Sequence, residues 1–262
     1  TARWHRLTPA RKANFMNASI SVNQPFSKVP DGGLRVAGLT PYSSIDYPGC
    51  LSAVVWVQGC PWRCTYCHNP HLQSRTAPPQ MHWDAVMAFL RKRAGLLDAV
   101  VFSGGEATTD RHLAAAMADT KALGYKIGLH TAGCYPERLK AVLPLVDWVG
   151  LDIKTHWQDY AALAGVDSAA SSAAESLDLL LQAGVEHEIR TTVHPQWLPV
   201  ANLLALGQEL RQAGVKHFAV QLYRAQGCAD QTIAALDPAA YSSAACSDRL
   251  AEMFPFFQLR GA

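Results

Sequence analysis

Three cysteines fall within eight positions in Gly59-Cys60-Pro61-Trp62-Arg63-Cys64-Thr65-Tyr66-Cys67-His68-Asn69-Pro70, spaced Cys60-x3-Cys64-x2-Cys67. Thiols this close on one loop converge on a metal. Structural zinc wants four closed ligands; Cys64 and Cys67 form one pair and His68 or His71 could add to it, but no second knuckle follows. A 4Fe–4S cluster suits the loop better, because thiolates are its usual protein ligands. Three cysteines leave one iron without a protein ligand, and an open position marks a metal that does chemistry. The four other cysteines, Cys50, Cys134, Cys228 and Cys246, are scattered and read as small buried or unassigned residues.

Positioning such a loop needs a scaffold, and the chain repeats one. Strand-like runs at Ser52–Gln58, Ala99–Ser103, Lys126–His130, Trp148–Ile153, His187–Val193 and His217–Tyr223 alternate with helical segments. The helices are expected at Trp83–Arg93, Arg111–Leu123, Pro136–Leu143, Ser171–Ala183 and Ala201–Ala213, several of them stopping at a glycine. Alternation of this kind means right-handed βαβ units and a parallel sheet. Six repeats fit the length better than eight, so the fold class is α/β, a partial (βα)6 barrel with parallel strands in one domain over 34–262. Ligands of such folds sit at the carboxyl ends of the strands. There the sequence places the cysteine loop, Ser103-Gly104-Gly105-Glu106, His130-Thr131-Ala132-Gly133, Asp152-Ile153-Lys154, Arg190 and Gln221.

Composition narrows the class. Hydrophobic residues make up 49% of the 262, enough for a sizeable core. A net charge of +2 gives no footprint for nucleic acid, and no run approaches the length of a membrane span. Sparse, odd-numbered cysteines suit a reducing compartment, so the cytoplasm is expected. Residues 1–33 read as a tail: its first fifteen residues carry Arg3, Arg6, Arg11 and Lys12 with no acid, as a solvated segment or a leader upstream of Met16 would.

With Tyr66 before its last cysteine, the loop resembles the signature of the radical S-adenosylmethionine (SAM) superfamily. The resemblance implies one 4Fe–4S cluster on Cys60, Cys64 and Cys67, with SAM chelating the open iron. Reductive cleavage would then give methionine and a 5′-deoxyadenosyl radical. Gly104-Gly105-Glu106 is similar to the family's motif for the SAM amino group; glycines admit a ligand closely, and a carboxylate suits an ammonium. Tyr66 and His68 would border the adenine. Lys154, Asp152, Arg190 and Thr131 are candidates around SAM.

The segment Ser43-Ser44-Ile45-Asp46-Tyr47-Pro48, followed by a strand and a cysteine loop ending His68-Asn69-Pro70, looks like the activases of anaerobic ribonucleoside-triphosphate reductase. These take a hydrogen from a backbone glycine of a partner glycyl radical enzyme. The resemblance implies that partner and a flavodoxin or ferredoxin reductant. Pyruvate formate-lyase activating enzyme and a small-molecule radical SAM enzyme of the 7-deazaguanine pathway are the alternatives. A plain iron–sulfur electron carrier or sensor is disfavoured by the Gly-Gly-Glu element, which it would not use.

Overall fold

The computed structural model describes residues 33–228 and 230–261. The reading of residues 1–33 as a tail lies, but for Gly33, outside the described residues. Six strands form the parallel centre: β2 (Ser52–Val57), β3 (Ala99–Gly104), β4 (Lys126–Thr131), β5 (Trp148–Asp152), β6 (Glu186–Val193) and β7 (His217–Leu222). They are flanked by β1 (Val36–Ser43) and β8 (Phe256–Arg260), and the order is sequential from β1 to β8. β1 runs antiparallel to β2 and every other pair is parallel.

The helices between them are α1 (Trp83–Arg93), α2 (Leu113–Ala122), α3 (Pro136–Val142), α4 (Tyr160–Ala164), α5 (Ala169–Ala183) and α6 (Val200–Gln212). α1 shows why such segments are helical. Val86, Met87 and Leu90 bury one face, Asp84 lies in the first turn, and Arg91, Lys92 and Arg93 lie in the last, each charge suiting the helix dipole. α5 stops at Gly184, whose φ of +67° supplies the left-handed cap.

Three apolar clusters form among the described residues: a large one between the outer sheet face and the helices, a second inside the sheet, and a third of Tyr66, Leu163, Tyr223, Cys228 and Ile233 beside the cysteine loop. The second, Tyr47, Val54, Ala99, Val101 and Trp148, plugs the inside of the sheet beneath the strand ends. The (βα)6 expectation holds, and β1 and β8 extend it. β1 escaped notice because Gly38 and Pro41 interrupt its pattern; an edge strand tolerates proline because one side of its ladder is unpaired. α4 is five residues long, too short to display a helical period.

Candidate active site

At the carboxyl ends of β2 to β7 lies a cavity of about 290 Å³. Its lining includes Cys60, Cys64, Cys67, Tyr66, His68, Gly104, Gly105, Thr131, Asp152, Lys154 and Arg190. One sequence-derived candidate, Glu106, does not line it. Its carboxylate is buried, 2% exposed, accepting from the Thr108 amide (3.1 Å), the Thr108 hydroxyl (2.6 Å), the Thr131 hydroxyl (2.7 Å) and the Ala132 amide (2.9 Å).

The cysteine loop is fixed from both sides. The Gly59 and Cys60 amides donate to the carbonyls of Leu72 and Gln73, and those of Arg63 and Thr65 to Ala164 and Leu163. All three cysteines are half-buried and free. The Cys134 side chain beside it holds the Cys60 thiol below its ordinary value, whereas burial pushes Cys64 up. Among the described residues no group of three or more His, Cys, Asp or Glu could hold a single metal ion. Three free thiols set apart on one cavity wall fit the corners of a cluster.

Opposite them is a charged group. Arg190 donates from Nε to Asp152 Oδ1 (2.9 Å), and Lys154 Nζ lies 3.7 Å from Asp152 Oδ2. Burial would raise the Asp152 carboxyl, but Arg190 and Lys154 together hold it below the carboxylate range. Burial would likewise lower Lys154, yet the Tyr66 and Asp152 side chains beside it keep its ammonium well above its usual value. Arg190 has its place because residue 150 is glycine: a Cβ there would sit 2.7 Å from the guanidinium carbon. Lys154 also lies 5.8 Å over the Tyr66 ring, whose face stacks on Trp197 at 4.6 Å. His68 Nε2 meets the Arg224 carbonyl at 2.8 Å.

The sequence places His130 and Gln221 at the strand ends without giving them a role, and Thr192 carried no signal; all three line this cavity. Trp197, in a loop before α6, carried none either. His130, Thr192, Gln221, Asp46, His68 and Arg190 also line a wider cavity of about 1280 Å³, bounded by the Ile45–Pro48 turn on one side and Gln258 and Arg260 of β8 on the other. Among the described residues the two sheet edges, β1 and β8, do not pair, so the sheet is not closed along that flank.

A family model for the radical SAM superfamily matches residues 54–199, more than half of the chain. The chain belongs to the radical SAM superfamily. Membership implies SAM and a 4Fe–4S cluster, and the donor set on the cavity wall fits both. Over 208 residues the chain is 26% identical to a Methanocaldococcus jannaschii protein provisionally named as a glycyl-radical enzyme activating enzyme, covering 75% of this chain and 82% of that one. The pyruvate formate-lyase-activating enzyme of Streptococcus mutans is 32% identical over 129 residues, 43% of this chain and 48% of its own length. The fold is shared with Streptococcus suis SuiB bound to its precursor peptide SuiA, at a TM-score of 0.59 and 15% identity, over 80% of this chain and 48% of that one. No helix among the described residues is long and apolar enough to cross a membrane.

Proposed function

We propose that this chain is an activase that makes a glycyl radical on a partner enzyme, the partner being the anaerobic ribonucleoside-triphosphate reductase. The open flank of the barrel carries the reading. Its wide cavity, lined by the Ile45–Pro48 turn and by Gln258 and Arg260 of β8, shares His68, His130 and Arg190 with the cavity that the cysteines line, and a backbone loop needs such an approach. The relative named for glycyl-radical enzyme activation, aligned over most of both chains, supports it.

Cys60, Cys64 and Cys67 would hold the cluster. Cluster and SAM, when bound, supply an adenosyl radical able to take a glycine hydrogen, because the glycine radical left behind is delocalised over its amides. The chain's own residues position SAM. Lys154 and Arg190 offer cations to its carboxylate, Asp152 offers an anion, and Tyr66 and His68 wall the adenine. Gly104 and Gly105 bring backbone within reach of the amino group, with Glu106 holding that turn from behind rather than facing the ligand. Thr131 ties Glu106 to β4. A flavodoxin or ferredoxin in the cytoplasm would deliver the electron.

The Streptococcus mutans enzyme favours a second partner, pyruvate formate-lyase. One experiment separates the readings. The reconstituted protein is mixed with SAM, reductant and each enzyme in turn, and electron paramagnetic resonance spectra are recorded. A glycyl doublet on the reductase is expected; a doublet on pyruvate formate-lyase alone would move the assignment to the second reading. If neither forms while a pterin accelerates SAM cleavage, the activase reading is wrong.

A further inference from the structure

The Tyr66 ring walls the inner cavity but is held by a residue outside that lining. Tyr66 is 5% exposed and lies in the apolar cluster beside the cysteine loop, with Leu163, Tyr223, Cys228 and Ile233. Its ring stacks on the Trp197 indole, with centroids 4.6 Å apart and planes 15° from parallel. The same indole stacks on the buried His194 ring, at 4.7 Å and 25°. Trp197 and Thr65 line a separate, outer cavity of about 540 Å³. The Tyr66–Trp197 stack therefore stands between the two cavities.

Trp197 is pinned at several points. Its Nε1–H donates to the carbonyl of Thr192 (3.0 Å), a residue of the inner cavity. Its own carbonyl accepts from the hydroxyl of Thr155 (2.9 Å), the residue that follows Lys154. Its amide donates to the His194 carbonyl (3.2 Å). His194 is fixed in turn. The Gln196 amide donates to its Nδ1 (3.3 Å), so Nε2 carries the hydrogen and donates to the Ala234 carbonyl (3.1 Å). An indole tied down in this way gives the neighbouring phenol ring one orientation to stack in.

We propose that Trp197 is a positioning residue for SAM: from outside the inner cavity it holds the Tyr66 ring in place as a wall, and so sets SAM affinity. Without the indole the ring is free to lean toward the outer cavity. It would leave both the wall and the Lys154 ammonium, which now lies 5.8 Å from its centroid. The inference rests on the adenine role proposed above for Tyr66, and is independent of which partner is activated.

The test needs neither partner nor turnover. Wild type, Trp197→Phe, Trp197→Leu, Tyr66→Leu and the Tyr66→Leu, Trp197→Leu double variant are reconstituted anaerobically. Their iron is counted, and SAM binding without reductant is measured by calorimetry. Trp197→Leu should bind SAM about two- to tenfold more weakly at an unchanged iron count, the worth of one stacked aromatic pair. Trp197→Phe keeps a ring to stack on and should stay closer to wild type. In the Tyr66→Leu background the Trp197→Leu change should cost nothing further, because no ring is left to hold. A general loosening of the fold would instead cost as much in either background. Equal losses in the two backgrounds, or an iron count that falls in both Trp197 variants, would overturn the proposal. Weakened binding in Tyr66→Leu beside wild-type binding in Trp197→Leu would sink this inference alone. Wild-type binding in Tyr66→Leu would remove the adenine wall of the proposed function, and this inference with it.

Discussion

His130 stands at the join between the two cavities, where its Nε2–H donates to the Asp46 carbonyl at 2.9 Å. Burial, then the Arg190 charge, push its imidazole from 6.5 down to about 3. The fold therefore favours neutral His130. Its contribution to stability is full above the unfolded value of 6.5 and is lost as pH falls toward about 3, by at most about 1.4 kcal/mol per pH unit. His130→Gln keeps an amide donor for the carbonyl and does not titrate. Urea unfolding between pH 6.5 and about 4.5 should show a smaller loss for the variant than for wild type; equal losses would remove His130 from the linkage. The cysteines, Gly104, Gly105, Asp152 and Lys154 were legible in the sequence as unusual residues at or just past strand ends, and Arg190 as a charge within a strand. The hydrogen bonds of Glu106 to Thr131 and Ala132 were not, because they depend on where turns from separate strands meet.

Glycines make the same distinction at the level of elements. Gly184 ends α5 in the left-handed region, with nothing within 4 Å of a Cβ built on it. Gly184→Ala should cost only backbone strain, about 1–2 kcal/mol. At Gly105, after β3, the same methyl group would lie 2.5 Å from the Gly59 carbonyl oxygen and 2.7 Å from that of Leu72. Backbone cannot yield as a side chain tip does, so the turn must leave the cysteine loop. Gly105→Ala should cost about 3 kcal/mol or more and lower iron content after reconstitution, whereas Gly184→Ala should load normally. Denaturation midpoints with iron counts check both. The helix stop at Gly184 could be read from Ala183-Gly184 after an apolar period. The packing demand at Gly105 could not, since it comes from Leu72 and Gly59 on the other side of the turn. Strands β2 to β7 emerged within about a residue of their expected bounds because continuous apolar runs mark a sheet buried on both faces; β1 has no such mark.

For the whole molecule, the question is what keeps an unclosed sheet from fraying at its open flank. β8 has a neighbour on one side only, and its inner end is held by a bidentate pair: Arg260 donates to Glu188 Oε1 (2.8 Å) and Oε2 (2.6 Å), reaching across β7 to β6. Glu188 is 8% exposed, so its charge depends on that partner, while Arg260 is partly in water, which limits what the pair contributes. Arg260→Ala would leave a buried carboxylate alone and should cost about 1–3 kcal/mol. Adding Glu188→Gln removes the stranded charge, so the double variant should recover part of that loss, and a double-mutant cycle measures the coupling. Hydrogen exchange localises it: amides of Phe256–Arg260 should exchange faster in Arg260→Ala, while those of β3 and β4 stay protected. Because β8 forms one lip of the wide cavity, the activase reading proposed above expects the same variant to slow glycyl radical formation, and the SAM roles it proposes for Lys154 and Asp152 expect SAM affinity to change little. Unchanged exchange in β8 would mean that its ladder with β7 holds this lip and the ion pair does not.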